Sequence, residues 1–145
     1  LIYQNSSHGQ RDAVQMAVRL LVNILLANGD AHLKNWSMIY PDGHNAELSP
    51  AYDIVVTKAY ILDEARFGLN MDKEKNWYEA SLAHFKRWAE YGDIPWRPVL
   101  YNLRATLEKA RALWPEALEG SEMPESQKAV LRAHWKQLHA DFRIG

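Results

Sequence analysis

Arg11, Gln15, Arg19 and Asn23 recur at every fourth position through a stretch that is otherwise apolar from Ala13 to Ala27. At helical pitch this draws one narrow polar stripe on an apolar cylinder. A helix so apolar around its circumference belongs in the middle of a bundle. Before it, residues 1–10 (LIYQNSSHGQ) are polar and read as an entry loop, and after it Asn28-Gly29 reads as the helix stop. The pattern then changes. Trp36-Ser37-Met38-Ile39-Tyr40 alternates loosely, Pro41-Asp42-Gly43-His44-Asn45 is dense in turn formers, and Ala46 to Ser49 can return as a partner strand. One small β-hairpin is expected over about residues 36–49. Ile54 to Thr57 is β-branched and reads as an extended exit, while residues 58–76 lack a clear period.

Helical spacing returns with Tyr78, Leu82, Phe85 and Ala89, ended by Gly92. Pro95 or Pro98 opens a helix with Val99, Leu103, Leu107, Ala110 and Trp114 on its apolar face, and Pro115 is expected to limit it. Residues 115–123 read as a connector. Pro124 then starts a last helix carrying Leu131, Trp135, Leu138 and Phe142 on one face. The expected class is mainly α with one hairpin, a single domain over 1–145 whose helical remainder covers 77–142.

Composition narrows the functional classes. The chain has 145 residues, 17 Lys+Arg against 18 Asp+Glu, and no cysteine. A formal net charge of -1 offers no basic field for non-specific nucleic-acid binding, so no direct contact with nucleic acid is expected. Without Cys, disulfides, thiolate metal sites and cysteine nucleophiles are excluded. The stretch from Ala13 to Ala27 is too short and too polar for a membrane span. No basic-then-apolar leader follows Leu1, and the expected location is cytoplasmic. The seven glycines are too scattered for a glycine-rich phosphate loop. His134 and His139 are five residues apart, not the i, i+4 pair of a zinc helix, and His8, His44 and His84 lack carboxylates at ligand spacing. Trp88, Trp96, Trp114 and Trp135 are read as core packing rather than base-stacking platforms. Lys73-Glu74-Lys75 and Lys86-Arg87 are read as solvated faces.

The chemistry concentrates in Asn28-Gly29-Asp30-Ala31-His32-Leu33-Lys34-Asn35, a polar segment at the end of the apolar helix. Loops held at the end of a rigid element are where catalytic groups usually lie. A second carboxylate, Asp53, stands just past the hairpin in Leu48-Ser49-Pro50-Ala51-Tyr52-Asp53-Ile54. A hairpin reverses the chain and can return Asp53 to Asn35, joining a carboxylate to a carboxamide oxygen. Such hard oxygen ligands suit Mg²⁺ bound beside a polyphosphate. Asp30, five residues before Asn35, would then accept a hydroxyl proton or orient a nucleophile.

Asp30-x-His32-x-Lys34-Asn35 followed by Ser49-Pro50-x-Tyr52-Asp53 resembles the HipA-type serine/threonine kinases, toxins of bacterial type II toxin–antitoxin systems. The likeness is strongest from Leu20 to Ile54. It implies a catalytic loop at 28–37 with Asp30 as base, and a metal-binding segment at 48–54. It further implies Asn35 and Asp53 as Mg²⁺ ligands, and His32, Lys34, Asn35, Tyr52 and Asp53 on the ATP side. His32 stands where ordinary protein kinases place a lysine, and lipid kinases share a histidine there, so the loop alone leaves the acceptor open. Such kinases also carry an N-terminal lobe with a glycine-rich loop and an ATP-binding lysine, which are absent here. The resemblance therefore implies the C-terminal, mainly helical lobe of a protein-kinase-like fold, inactive alone. Its implied partners are the missing lobe, a protein substrate such as an aminoacyl-tRNA synthetase, and a helix-turn-helix antitoxin. A small-molecule or lipid kinase lobe and a non-catalytic module that binds an antitoxin are the alternatives.

Overall fold

The computed structural model describes residues 2–61, 66–71 and 74–145. Five helices, α1 (Ile2–Asn5), α2 (Gly9–Leu25), α3 (Leu82–Tyr91), α4 (Trp96–Glu119) and α5 (Glu125–Gln137), carry the fold. Two antiparallel pairs complete it: β1 (Met38–Ile39) with β2 (Glu47–Leu48), and β3 (Arg66–Met71) with β4 (Glu74–Asn76). The mainly helical expectation holds. Among the described residues no helix is long and apolar enough to cross a membrane.

The entry segment is not a loop. It makes the single turn α1 and starts α2 at Gly9. Ser6 explains the bend, because its hydroxyl donates to Asp12 Oδ2 at 2.6 Å and accepts the His8 N–H at 3.0 Å. A Cβ on Gly9 would sit 2.2 Å from the Tyr3 carbonyl oxygen, so only glycine permits this approach. Asp12 is buried, which opposes its charge. Hydrogen bonds from Ser6, the Leu48 N–H and Arg11 nevertheless hold its carboxyl below the ordinary carboxylate range.

α2 buries Ala13, Val14, Ala17, Leu20, Leu21, Ile24 and Leu25 and packs along α4, as its apolar circumference requires. Its stop differs from the expected Asn28-Gly29. Ala27 takes the left-handed conformation (φ 53°), with the Asn28 N–H on the Asn23 carbonyl at 2.9 Å and the Ala27 N–H on Ile24 at 3.2 Å. This is a Schellman closure with alanine where glycine is usual. Ala27 is fully buried, and tertiary packing overrides its local preference.

Two side chains of α5 reach carbonyls in the last turn of α2. His134 Nε2 donates to Ile24 O at 2.7 Å, and Trp135 Nε1 donates to Leu25 O at 2.8 Å. His134 is completely buried, against Trp77 edge-on at 5.3 Å between centroids. Burial pushes its imidazole down to about 4, against the pull of the Ile24 bond. The histidine and tryptophan readings hold here: His134 and Trp135 are structural, and Trp88, Trp96 and Trp114 pack on the core.

Pro115 does not limit α4, which runs through it to Glu119. A proline removes one N–H bond from the ladder. Beyond it, burial of Leu118 holds the last turn against the core, and Lys128 Nζ donates to Glu119 O at 2.8 Å. The expected connector over 115–123 is therefore only the short link after Glu119. Pro124 does precede α5, but Leu138 and Phe142 lie past the helix end, both fully buried. Phe142 meets Phe85 of α3 edge-on at 5.8 Å, and Asp141 Oδ2 accepts the Leu82 N–H at the start of α3 (2.9 Å).

β1 and β2 form the expected hairpin in shorter form, with Met38 opposite Leu48 and Ile39 opposite Glu47. Asp42 shapes its tip by accepting the N–H groups of His44 (2.9 Å) and Asn45 (2.7 Å). Those bonds lower its carboxyl to about 2. A second hairpin, β3–β4, corrects the expectation of one. Part of the patternless stretch 58–76, and Lys73 of the charge run, lie outside the described residues. β3 does carry a short apolar alternation, Phe67, Leu69 and Met71, which the reading of 58–76 as patternless missed, and at Gly68 it approaches its neighbour by backbone. A Cβ on Gly68 would stand 3.0 Å from the carbonyl carbon and oxygen of Ala31 and from the His32 nitrogen. Ile54 to Thr57 is not a strand either, and Thr57–Ala59 makes a 3₁₀ turn.

Candidate active site

The polar stripe of α2 is the ruler against which the site is laid out. Arg11 pairs with Glu47 (Nη2 to Oε2, 2.9 Å), and Asp12 Oδ2 accepts the Leu48 N–H at 2.6 Å. Arg19 Nη1 donates to Ser49 O at 2.7 Å. Asn23, five residues before Asn28, bonds the Asn28 carboxamide, which reaches Asp53 O at 3.1 Å. One helix thus grips residues 47, 48 and 49 directly and residue 53 through Asn28, in order along its length. The return strand and the Asp53 segment are fixed to α2 rather than hung from the hairpin.

On the opposite bank, residues 28–36 are folded tightly. The Asp30 N–H reaches Asn28 Oδ1 at 3.2 Å, and the His32 N–H reaches Asp30 O at 2.8 Å. Leu33–Asn35 makes one 3₁₀ turn. Thr57 Oγ1 accepts the Gly29 N–H (2.7 Å) and donates to Ala27 O (3.1 Å), tying the loop base to the far side of Asp53.

Asp30 carries a solvent-facing carboxylate, with His32 Nε2 3.7 Å from its Oδ1. Lys34 is exposed. Tyr52 spans the banks: its hydroxyl donates to Lys34 O at 2.9 Å and contacts Ser37 Oγ at 2.6 Å. Asn35 and Asp53, 18 positions apart, meet directly, with Asn35 Nδ2 donating to Asp53 Oδ2. Asp53 holds a left-handed backbone (φ 56°). All six sequence-predicted residues therefore line two facing segments. Asn35 and Asp53 touch, Asp30 and His32 are neighbours, and Asp30 connects to Asp53 through Asn28.

The donor set fits a hard cation. Asn35 Oδ1 is buried with no hydrogen-bond partner among the described residues, beside an exposed carboxylate. An orphaned carboxamide oxygen is costly unless something occupies it. The adjoining cleft between Asn35, Asp53 and Asn23 measures about 10 Å³, room on the order of a single water-sized species. Among the described residues no group of three or more His, Asp or Glu could hold a metal. Mg²⁺ taken up with a polyphosphate requires only one or two carboxylates, so this does not count against the fit. Behind the loop, an apolar cavity of about 430 Å³ lies between Met16, Leu33, Trp36, Met38, Trp88 and Ile94. It holds none of these polar groups.

With that geometry in place, comparison with known proteins defines the class. The fold matches HipA in the Shewanella oneidensis MR-1 complex of HipA, HipB and operator DNA, with a TM-score of 0.72 over 94% of this chain and 32% of that one, at 20% identity. Residues 1–114 match the HipA-like C-terminal domain, and the chain belongs to that family. A Sinorhizobium fredii protein named "Putative kinase Y4dM" is 38% identical over 119 residues, 82% of this chain and 29% of its own length. A Haemophilus influenzae protein named "Putative kinase" is 43% identical over 42 residues, 29% of this chain and 12% of its own length. The chain thus spans less than a third of either relative.

Arg19, Asn23, Asn28, Thr57 and Gly68 hold the site, and sequence reasoning assigned none of them that work. The four-residue polar stripe pointed at Arg19 and Asn23, because a polar position on a buried helix needs a partner. Thr57 and Gly68 left no comparable signal, since their contacts exist only once the chain has folded back.

Proposed function

We propose that this chain is the catalytic lobe of a two-lobed kinase that transfers the ATP γ-phosphate to a serine or threonine of a protein substrate. Asp30 is the base that receives the hydroxyl proton, and its solvent-facing carboxylate leaves room for the acceptor. Asn35 and Asp53 hold Mg²⁺, while His32 and Lys34 place positive or hydrogen-bonding groups toward the phosphates. The bound metal supplies charge neutralisation on the phosphoryl oxygens. Tyr52 ties the Asp53 segment to Lys34 and Ser37 of the facing loop and keeps the two ligand segments in register.

The observation that carries this reading is the meeting of Asn35 and Asp53 across the hairpin, with Asn35 Oδ1 left buried and unpartnered. Membership of the HipA-like C-terminal family, and relatives named as kinases, support the reaction class. HipA of the matched structure is in complex with HipB and operator DNA. By extension, the complete protein is proposed to act as a bacterial toxin restrained in the cytoplasm by a DNA-binding antitoxin.

The test is phosphate transfer from radiolabelled ATP by the complete protein that contains these residues. Asp30→Asn should lower kcat by about 10²-fold or more, in line with loss of a general base. Asp53→Ala should raise the Mg²⁺ requirement. Wild-type turnover in Asp30→Asn refutes the assignment, and robust turnover by residues 1–145 alone refutes the need for a second lobe.

A further inference from the structure

We infer that Asn28 is the positioning residue of this site, a single buried carboxamide that sets Asp30 and Asp53 relative to one another. The inference takes its chemistry from the proposed kinase reading and its geometry from hydrogen bonds alone. Asn28 is fully buried. Its Nδ2 donates to Asn23 Oδ1 at 2.7 Å and to Asp53 O at 3.1 Å, and its Oδ1 accepts the Asp30 N–H at 3.2 Å. A carboxamide has two donors and one acceptor oxygen, and all are engaged.

None of these bonds is needed to end α2. The backbone N–H of Asn28, on Asn23 O at 2.9 Å, already closes the helix. The side chain serves the two facing segments instead. Its orientation is set by Asn23, whose own Nδ2 is committed to Arg19 O at 2.8 Å and whose Oδ1 therefore faces Asn28 as an acceptor. A flipped Asn28 amide would oppose oxygen to oxygen at Asn23 and Asp53, and N–H to N–H at Asp30.

Asp53 gives the arrangement its purpose. Its left-handed backbone is one that non-glycine residues seldom adopt. The Asn28 bond to its carbonyl and the Asn35 bond to its carboxylate are the contacts that hold it there. With Asp30 anchored on the same carboxamide, one side chain that faces neither ATP nor acceptor bonds both the proposed base's segment and the proposed metal ligand's, while Thr57 ties only the base of the loop.

Asn28→Asp separates the two functions, because it keeps an acceptor for the Asp30 N–H and removes both donors. In the complete kinase, the Mg²⁺ concentration for half-maximal phosphate transfer should rise about tenfold, the equivalent of one hydrogen bond. A smaller folded fraction lowers the amplitude without moving that midpoint, so falling activity at an unchanged midpoint overturns the inference. If the variant does not fold, or the wild type transfers no phosphate, the decision passes to NMR on the wild-type chain and on Asn28→Ala. Slow exchange of the Asn28 side-chain amide protons, with joint shifts at the Asp30 and Ile54 amides in Asn28→Ala, supports the bridge. Rapid exchange, or a shift at only one of the two, overturns it. Absence of phosphate transfer with an intact bridge would refute the kinase reading alone.

Discussion

Acidifying the protein tests the link between α5 and the end of α2. His134 is sealed between Ile24 O and Tyr78, with its Nε2 proton committed to the carbonyl at 2.7 Å and Nδ1 3.4 Å from the Tyr78 hydroxyl. Burial lowers its pKa from 6.5 to about 4, and nearby Lys58, which lies over the Trp77 and Tyr78 rings, adds to the effect. The unfolded chain takes up a proton near 6.5, while the folded chain refuses it until about 4. Between those values the unfolded state binds more protons, so stability falls as pH falls. The loss levels off below the folded value. Integrated over that interval, it is on the order of 3 kcal/mol, a substantial share of a typical domain's ~5–15 kcal/mol. Asp42 and Asp12 have lowered values, and what they contribute is lost mainly below 3.8, under the sampled pH range. Urea unfolding followed by tryptophan fluorescence, at pH values from about 7 to about 4.5, should give a declining midpoint in the wild type. In His134→Gln the decline across the window should be shallower by most of that amount, whatever the variant's starting stability. Parallel pH profiles for the two proteins would refute the argument.

Two other substitutions probe how the loop is supported. Gly68→Ala places a methyl 3.0 Å from the backbone of Ala31 and His32, where no flexible side chain can yield. It should cost about 1–3 kcal/mol and speed amide exchange over residues 29–35, and unchanged exchange there would show that β3 does not brace the loop. Trp135→Phe keeps the aromatic mass but leaves Leu25 O without its donor. The denaturation midpoint should drop by an amount equivalent to about 1–3 kcal/mol, and an unchanged midpoint would mean that water replaces the indole.

What could be read in advance divides along physical lines. The β1–β2 hairpin was legible because Pro41, Asp42 and Gly43 announce the turn locally, and Asp42 does form it. The α2 core face was legible because periodicity is a property of one element. Asp30, Asn35 and Asp53 were legible as a spaced motif, and the fold brings the latter two into contact. Errors arose where distant groups overrode local chemistry. Ala27 adopts the conformation expected of Gly29, and Pro115 stays inside a helix because Leu118 is buried beyond it. The β3–β4 pair escaped notice although Phe67, Leu69 and Met71 alternate with Arg66, Gly68 and Asn70, because the run is short and a glycine interrupts it. Asn28 looked like part of a helix stop, and its working bonds go to partners that only tertiary structure supplies.

The carbonyls of Ile24 and Leu25 are satisfied by residues 110 positions further along the chain. The family match ends at residue 114, well before His134 and Trp135. The stretch that the family model matches is thus shorter than the stretch that packs together. A gene fragment trimmed to the recognisable boundary would keep Asp30, Asn35 and Asp53. It would lose the two donors that hold the last turn of α2, just ahead of the Asp30 loop.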